Sequence, residues 1–100
     1  MTYSVIFTPS AMRDLVRAKD FYSKVDVNLG KYCLDSLILD AERLAFFSGI
    51  HPKKFGYYRM LARNFPFSIY YTIHNREVLV SAFIDNRQNP EAIMSKLLKL

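Results

Sequence analysis

Arg59, Arg63 and Arg87, with Lys53 and Lys54 shortly before them, are the residues of this chain best suited to work on an anion. A guanidinium presents five donors in a rigid planar fork and keeps its charge at any cellular pH, so several together can hold phosphate or carboxylate and stabilise developing negative charge. Cutting RNA would also require one group to take the 2′-OH proton and another to protonate the leaving oxygen. Neither histidine suits such proton transfer, because His51 falls in a loop and His74 in a turn, where each reads as an ordinary polar surface residue. With glycine only at 30, 49 and 56, the chain has no phosphate-cradling loop, and metal-ligand spacing is absent, so neither a cofactor nor a metal is expected. Tyr57, Tyr58, Tyr70 and Tyr71 could stack on bases. Neighbouring strand residues face opposite ways, however, so at least one of Tyr70 and Tyr71 should enter the core.

The elements that must position these residues can be read from periodicity. Tyr3, Val5 and Phe7 alternate with Ser4, Ile6 and Thr8 as a short strand. Thr8-Pro9 supplies an N-cap and a first helical residue whose missing N–H would have had no partner. Ala11, Leu15, Ala18, Tyr22 and Val25 then recur at helical spacing. After a break at Asp26-Val27-Asn28, a second stripe follows: Leu29, Cys33, Leu34, Leu37, Ile38, Ala41, Leu44 and Ala45, opposite Lys31, Asp35, Asp40 and Arg43. The two helices form an antiparallel hairpin closed by Ser48-Gly49. Residues 51–56 read as a basic surface loop, and strands are expected at about 57–63, 66–74 and 77–85, the last two joined through Asn75 in a positive-φ turn. Phe67, Ile69, Tyr71, Val78, Val80 and Ala82 are the expected sheet core. Asn89-Pro90 repeats the helix-start chemistry, and Ile93, Met94, Leu97 and Leu98 give a short terminal helix its apolar face. Residues 1–100 are expected to form one α+β domain, with the hairpin packed on a mainly antiparallel four-stranded sheet. Alternation along 57–63 puts Arg59 and Arg63 on one strand face, with Arg87 beside them on the helix-free side.

Composition limits the setting. About half the residues are apolar (51%), enough for a core without disulfide or metal staples. The lone cysteine, Cys33, lies within a helical stripe and suits a reducing cytoplasm. The start of the chain lacks a leader-like succession, and no apolar run approaches the ~20 residues of a membrane span, so a cytoplasmic protein without membrane contact is expected. The net charge of +5 is uneven: residues 1–50 carry six Lys/Arg against six Asp/Glu, and residues 51–100 carry eight against three. The excess therefore lies in the sheet half, where it would attract nucleic acid or an acidic peptide.

The stretch from Tyr58 to Pro90 runs through Arg59 and Arg63 into Phe65-Pro66-Phe67, Ile69-Tyr70-Tyr71, a hairpin, a Val-rich strand and Asn86-Arg87-Gln88-Asn89-Pro90. This succession, with the strand and two helices before it, resembles the RelE/ParE toxin superfamily of bacterial type II toxin–antitoxin systems, the plasmid stabilisation proteins. The resemblance implies a growth-inhibiting toxin held in check by a cognate antitoxin, with which it could form a hetero-oligomer. Relatives that cut messenger RNA on the ribosome use basic and aromatic residues near the sheet; Lys53, Lys54, Arg59, Arg63 and Arg87 match the basic part and would be the catalytic set of an endonuclease. The acid–base part is poorly matched: Asp85 stands where many relatives have a histidine, and residues 90–100 contain no Tyr or His. The long hairpin and that mismatch favour the ParE-like branch, whose members bind DNA gyrase and are inhibitors with no enzymatic activity. Lys53, Lys54, Arg59, Arg63 and Arg87 would then be target-binding residues. Two alternatives stand beside this: a ribosome-dependent mRNA endonuclease, and a non-toxic relative that only binds antitoxin.

Overall fold

The structure is a computed structural model that describes residues 2–100. It runs β1 (Ser4–Phe7), α1 (Pro9–Ser23), α2 (Val27–Glu42), α3 (Leu44–Phe47), β2 (Lys53–Lys54), β3 (Tyr57–Leu61), β4 (Phe67–His74), β5 (Glu77–Asp85) and α4 (Pro90–Leu98). The expected caps form. Thr8 Oγ1 accepts the Ala11 N–H at 3.1 Å, and Asn89 accepts the Glu91 N–H at the start of α4. Asp26 caps α2 by accepting the Asn28 N–H. Asn75 takes φ 57° in the β4–β5 turn, as its side chain permits.

The strand order is β1-β5-β4-β3-β2, with β1 parallel to β5 and every other pair antiparallel. The sheet thus has five strands where four were expected. The extra one is β2, in the segment read as a loop: Phe55 and Gly56 adopt φ 54° and 84°, which closes a tight hairpin and pairs Lys53 with Tyr58 and Lys54 with Tyr57. Phenylalanine in a left-handed position gives no turn signal in sequence.

The α1–α2 hairpin covers one face of the sheet. Ala11, Leu15, Ala18, Cys33, Leu37, Ala41 and Leu44 meet Phe67, Ile69, Tyr71, Val78, Val80 and Phe83 in the main core. The helices approach so closely at Gly30 that an added Cβ would lie 2.7 Å from the Lys19 carbonyl oxygen. Burial raises the Cys33 thiol pKa to about 11, which fits a packing role. Val25, expected on the inner stripe, lies beyond the end of α1 and is exposed. Asp40, expected outside, is buried, because it sits three residues after Leu37 and one before Ala41 on the same stripe.

The opposite face is also covered. Tyr70, Ala82 and Ile84 pack with Leu97 of α4, alongside Tyr57 and Ile93. The helix-free side anticipated for the arginines is therefore partly roofed by α4. A β-bulge explains why Ala82 joins this second cluster: Tyr70 pairs with Ala82 but Tyr71 with Val80, so Ser81 is the extra residue and the alternation begun at Val78 and Val80 shifts. Asp14 completes the fold near that bulge. β1 pairs only with residues 77–80 of β5; beyond it, the free Phe83 N–H donates to buried Asp14 of α1, whose carboxylate also receives Lys96 from α4. Among the described residues, no helix is long and apolar enough to cross a membrane.

Candidate functional site

Arg59 lies opposite Tyr70 on the α4 face of the sheet. Its guanidinium donates to Asn86 Oδ1 at 3.4 Å, and the same oxygen accepts the buried Ser68 hydroxyl. Asn86 follows β5, so the end of that strand orients the arginine. Lys54, paired with Tyr57, shares this face, whereas Lys53 lies over the Tyr58 ring at 4.9 Å on the other. The two lysines are split because neighbours on a strand alternate.

Arg63 does not share a strand face with Arg59. β3 ends at Leu61, the chain bends before Pro66, and the Arg63 N–H donates to Asp40 of α2 at 3.0 Å. Arg63 instead lines a cleft of about 410 Å³ with Asp40, Arg43, Phe47, His51, Met60 and Leu61.

Arg87 turns away as well. It grips Asp85 through its Nε and Nη2 atoms, closest at 2.6 Å, and reaches the Tyr22 hydroxyl and Phe21 ring of α1. The hydrogen bonds from Arg87 hold the Asp85 carboxyl below its ordinary range, so it stays ionised and is a poor proton donor; the same pairing pushes the Arg87 pKa up. The expected row of three arginines is thus a divided arrangement: Arg59 and Lys54 on the α4 face, Arg87 at the sheet end beside α1, and Arg63 with Lys53 toward the hairpin.

The groups best placed to hold a proton lie on that hairpin side. The Gly49 N–H donates to the Tyr71 hydroxyl oxygen at 2.9 Å, and the same hydroxyl is hydrogen-bonded to His51 Nδ1 at 2.5 Å. Burial lowers the His51 pKa and raises that of Tyr71, the latter against the stabilising Gly49 N–H. Tyr58 stacks on Tyr71 with ring centroids 5.1 Å apart. His51 is therefore half-buried and bonded, and differs from the surface residue its loop position implied; a contact across twenty residues leaves no local sequence signal. Asp14 did leave one, because it falls between Ala11 and Ala18 on the inner face of α1. The four candidate stacking tyrosines are all engaged: Tyr70 and Tyr71 are buried, Tyr58 is stacked, and the Tyr57 hydroxyl donates to the Leu97 carbonyl.

Two further surfaces are notable. An apolar groove of about 500 Å³ runs along the free edge strand β1 and the hairpin, lined by Val5, Phe7, Met12, Val16, Leu34 and Ile38. A wider bowl of about 920 Å³ opens on the α4 face, with Arg13, Tyr57, Thr72, His74, Ser81 and Lys99 in its wall.

A strand, a helical hairpin, an antiparallel meander returning parallel to the first strand, and a short closing helix make up an α+β fold that a solved structure shares. The chain is similar to a solved structure described as "Chromosomal ParDE TA system from P. aeruginosa", with a TM-score of 0.76 and 16% sequence identity over 84% of this chain and 96% of that one. No family model and no curated protein matches the sequence.

Proposed function

We propose that the chain is the toxin of a type II toxin–antitoxin pair, restrained by its cognate antitoxin and acting by inhibiting DNA gyrase. The likeness in fold to a chain of a ParDE system is the observation that carries the toxin reading. The apolar groove beside β1 supports the antitoxin partner: an amphipathic segment, disordered alone, would bury its apolar side against Val5, Phe7, Val16 and Ile38 and could extend the sheet from the free strand edge. The basic second half of the chain would favour an acidic segment.

Inhibition rather than RNA cleavage is favoured by the separation of groups. The proton-holding pair His51–Tyr71 lies on the hairpin side with only Arg63 and Lys53 of the five basic residues, whereas Arg59 and Lys54 lie on the other face, and Arg87 is committed to Asp85 at the sheet end. In this reading Arg59, Lys54 and Arg87 contact the target, with Lys53 and Arg63 contributing less. Expression without antitoxin should cause filamentation, and the purified chain should raise cleaved DNA in a gyrase assay while translation continues. Arg59→Ala should weaken toxicity and leave thermal melting in place. Transcripts cut within codons on the ribosome, without a gyrase effect, would replace this reading with the mRNA endonuclease; a chain that binds antitoxin and leaves growth untouched would reduce it to a non-toxic relative.

A further inference from the structure

The cleft between the end of α2 and the end of β3 has no part in the target reading beyond the minor place given to Arg63. Arg43, at the C-cap of α2, and Arg63, in the β3–β4 bend, both line it, and among the described residues neither has a carboxylate within ion-pair distance. Asp40 in the same wall is buried and directs an oxygen to the Arg63 backbone N–H, so it offsets part of the charge without pairing with either guanidinium. His51 is hydrogen-bonded to the Tyr71 hydroxyl through Nδ1, and among the described residues its Nε2 has no protein partner. The remaining wall is apolar, formed by Met60 with Phe47 and Leu61, which are 58% and 59% exposed.

We propose that this cleft, formed by Arg43, Arg63, His51, Phe47 and Leu61, binds a carboxylate side chain of an acidic amphipathic peptide segment in a partner protein. Two planar forks suit bidentate carboxylate recognition, and the exposed Phe47 and Leu61 give the neighbouring apolar side chains of such a segment a surface to cover. A nucleic-acid strand is less well suited, because its successive phosphates would meet these apolar side chains and the buried Asp40 beside the two cations. The site is separate from the groove along β1, and its chemistry stands whether or not the chain is a toxin.

The test uses the full chain and a synthetic helix-forming peptide rich in glutamate and leucine, followed through the His51 ring signals by NMR. The peptide should move those signals saturably, and Arg43→Gln/Arg63→Gln should weaken its binding roughly tenfold, as expected for part-exposed charge pairs. Arg43→Lys, which keeps the charge and loses the fork, should lie between them. If the double variant does not fold, the single Arg63→Gln substitution, at an exposed position, carries the comparison. Val16→Asp in the β1 groove should leave the His51 response intact. The proposal is overturned if the peptide leaves His51 unmoved, if inorganic phosphate binds as tightly as the peptide, or if a single-stranded RNA oligomer displaces the peptide and depends on the same arginines.

Discussion

The two faces of the sheet are built on different scales. Thirteen buried residues form the cluster under the α1–α2 hairpin, against four under α4, so the hairpin face holds most of the apolar burial that stabilises the fold. The α4 face is secured by few groups: Leu97 and Ile93 in the small cluster, the Tyr57 hydroxyl on the Leu97 carbonyl, and Lys96 on Asp14. Arg59 and Lys54 lie on this lightly covered side. A thick core on one face allows the other to carry polar groups that do little for stability and remain available for recognition.

The widest contrast should come from two leucines of similar burial. Leu37→Ala, within the hairpin core, should destabilise the whole fold by about 2–5 kcal/mol. Leu97→Ala should lower the global melting temperature less and increase amide exchange selectively in residues 90–98, because α4 can open without the rest. Equal global losses would mean that the two faces unfold as one unit. Gly30→Ala should cost about 1–3 kcal/mol, since the new methyl would press on the Lys19 carbonyl and the helices would have to separate; denaturant unfolding would show it. A neutral result would mean that the hairpin can slide apart freely.

The smallest effect is on pH. Burial places the folded-state pKa of His51 below its ordinary 6.5, so below that value the unfolded chain takes up the proton first. The associated stability is present above pH 6.5 and declines as the pH falls through the histidine range. His51→Gln should flatten this part of the stability profile, measured by thermal melting between pH 5 and 8. An unchanged slope would place its origin in other groups.

What the sequence disclosed follows from how local each determinant is. Thr8-Pro9, Asn75 and Asn89-Pro90 act on their own backbone, and the helices and turn they predict are present. The apolar stripes gave the hairpin and most of the core for the same reason. The bulge at Ser81 was not legible, since it depends on pairing with β4, and it sends Ala82 to the opposite face from the one alternation implies. The arginine row failed at two points: β3 stops at Leu61, where Asp40 captures the Arg63 N–H from a helix twenty-three residues earlier, and Arg87 turns to Asp85 and the α1 aromatics. A fold shared at sixteen per cent identity fits this view, because one fold can be specified by very different sequences.

The parallel pairing of β1 with β5 also sets an order of assembly. Ser4 has no strand partner until Glu77 has been synthesised, so a chain emerging from the ribosome can close its helical hairpin early but cannot finish its sheet until residues 77–80 have been made. Through that interval the apolar sides of Val5 and Phe7 and the hairpin surface meant to cover the sheet stay open to solvent. The newborn chain is consequently most adhesive in the interval before β5 pairs with β1.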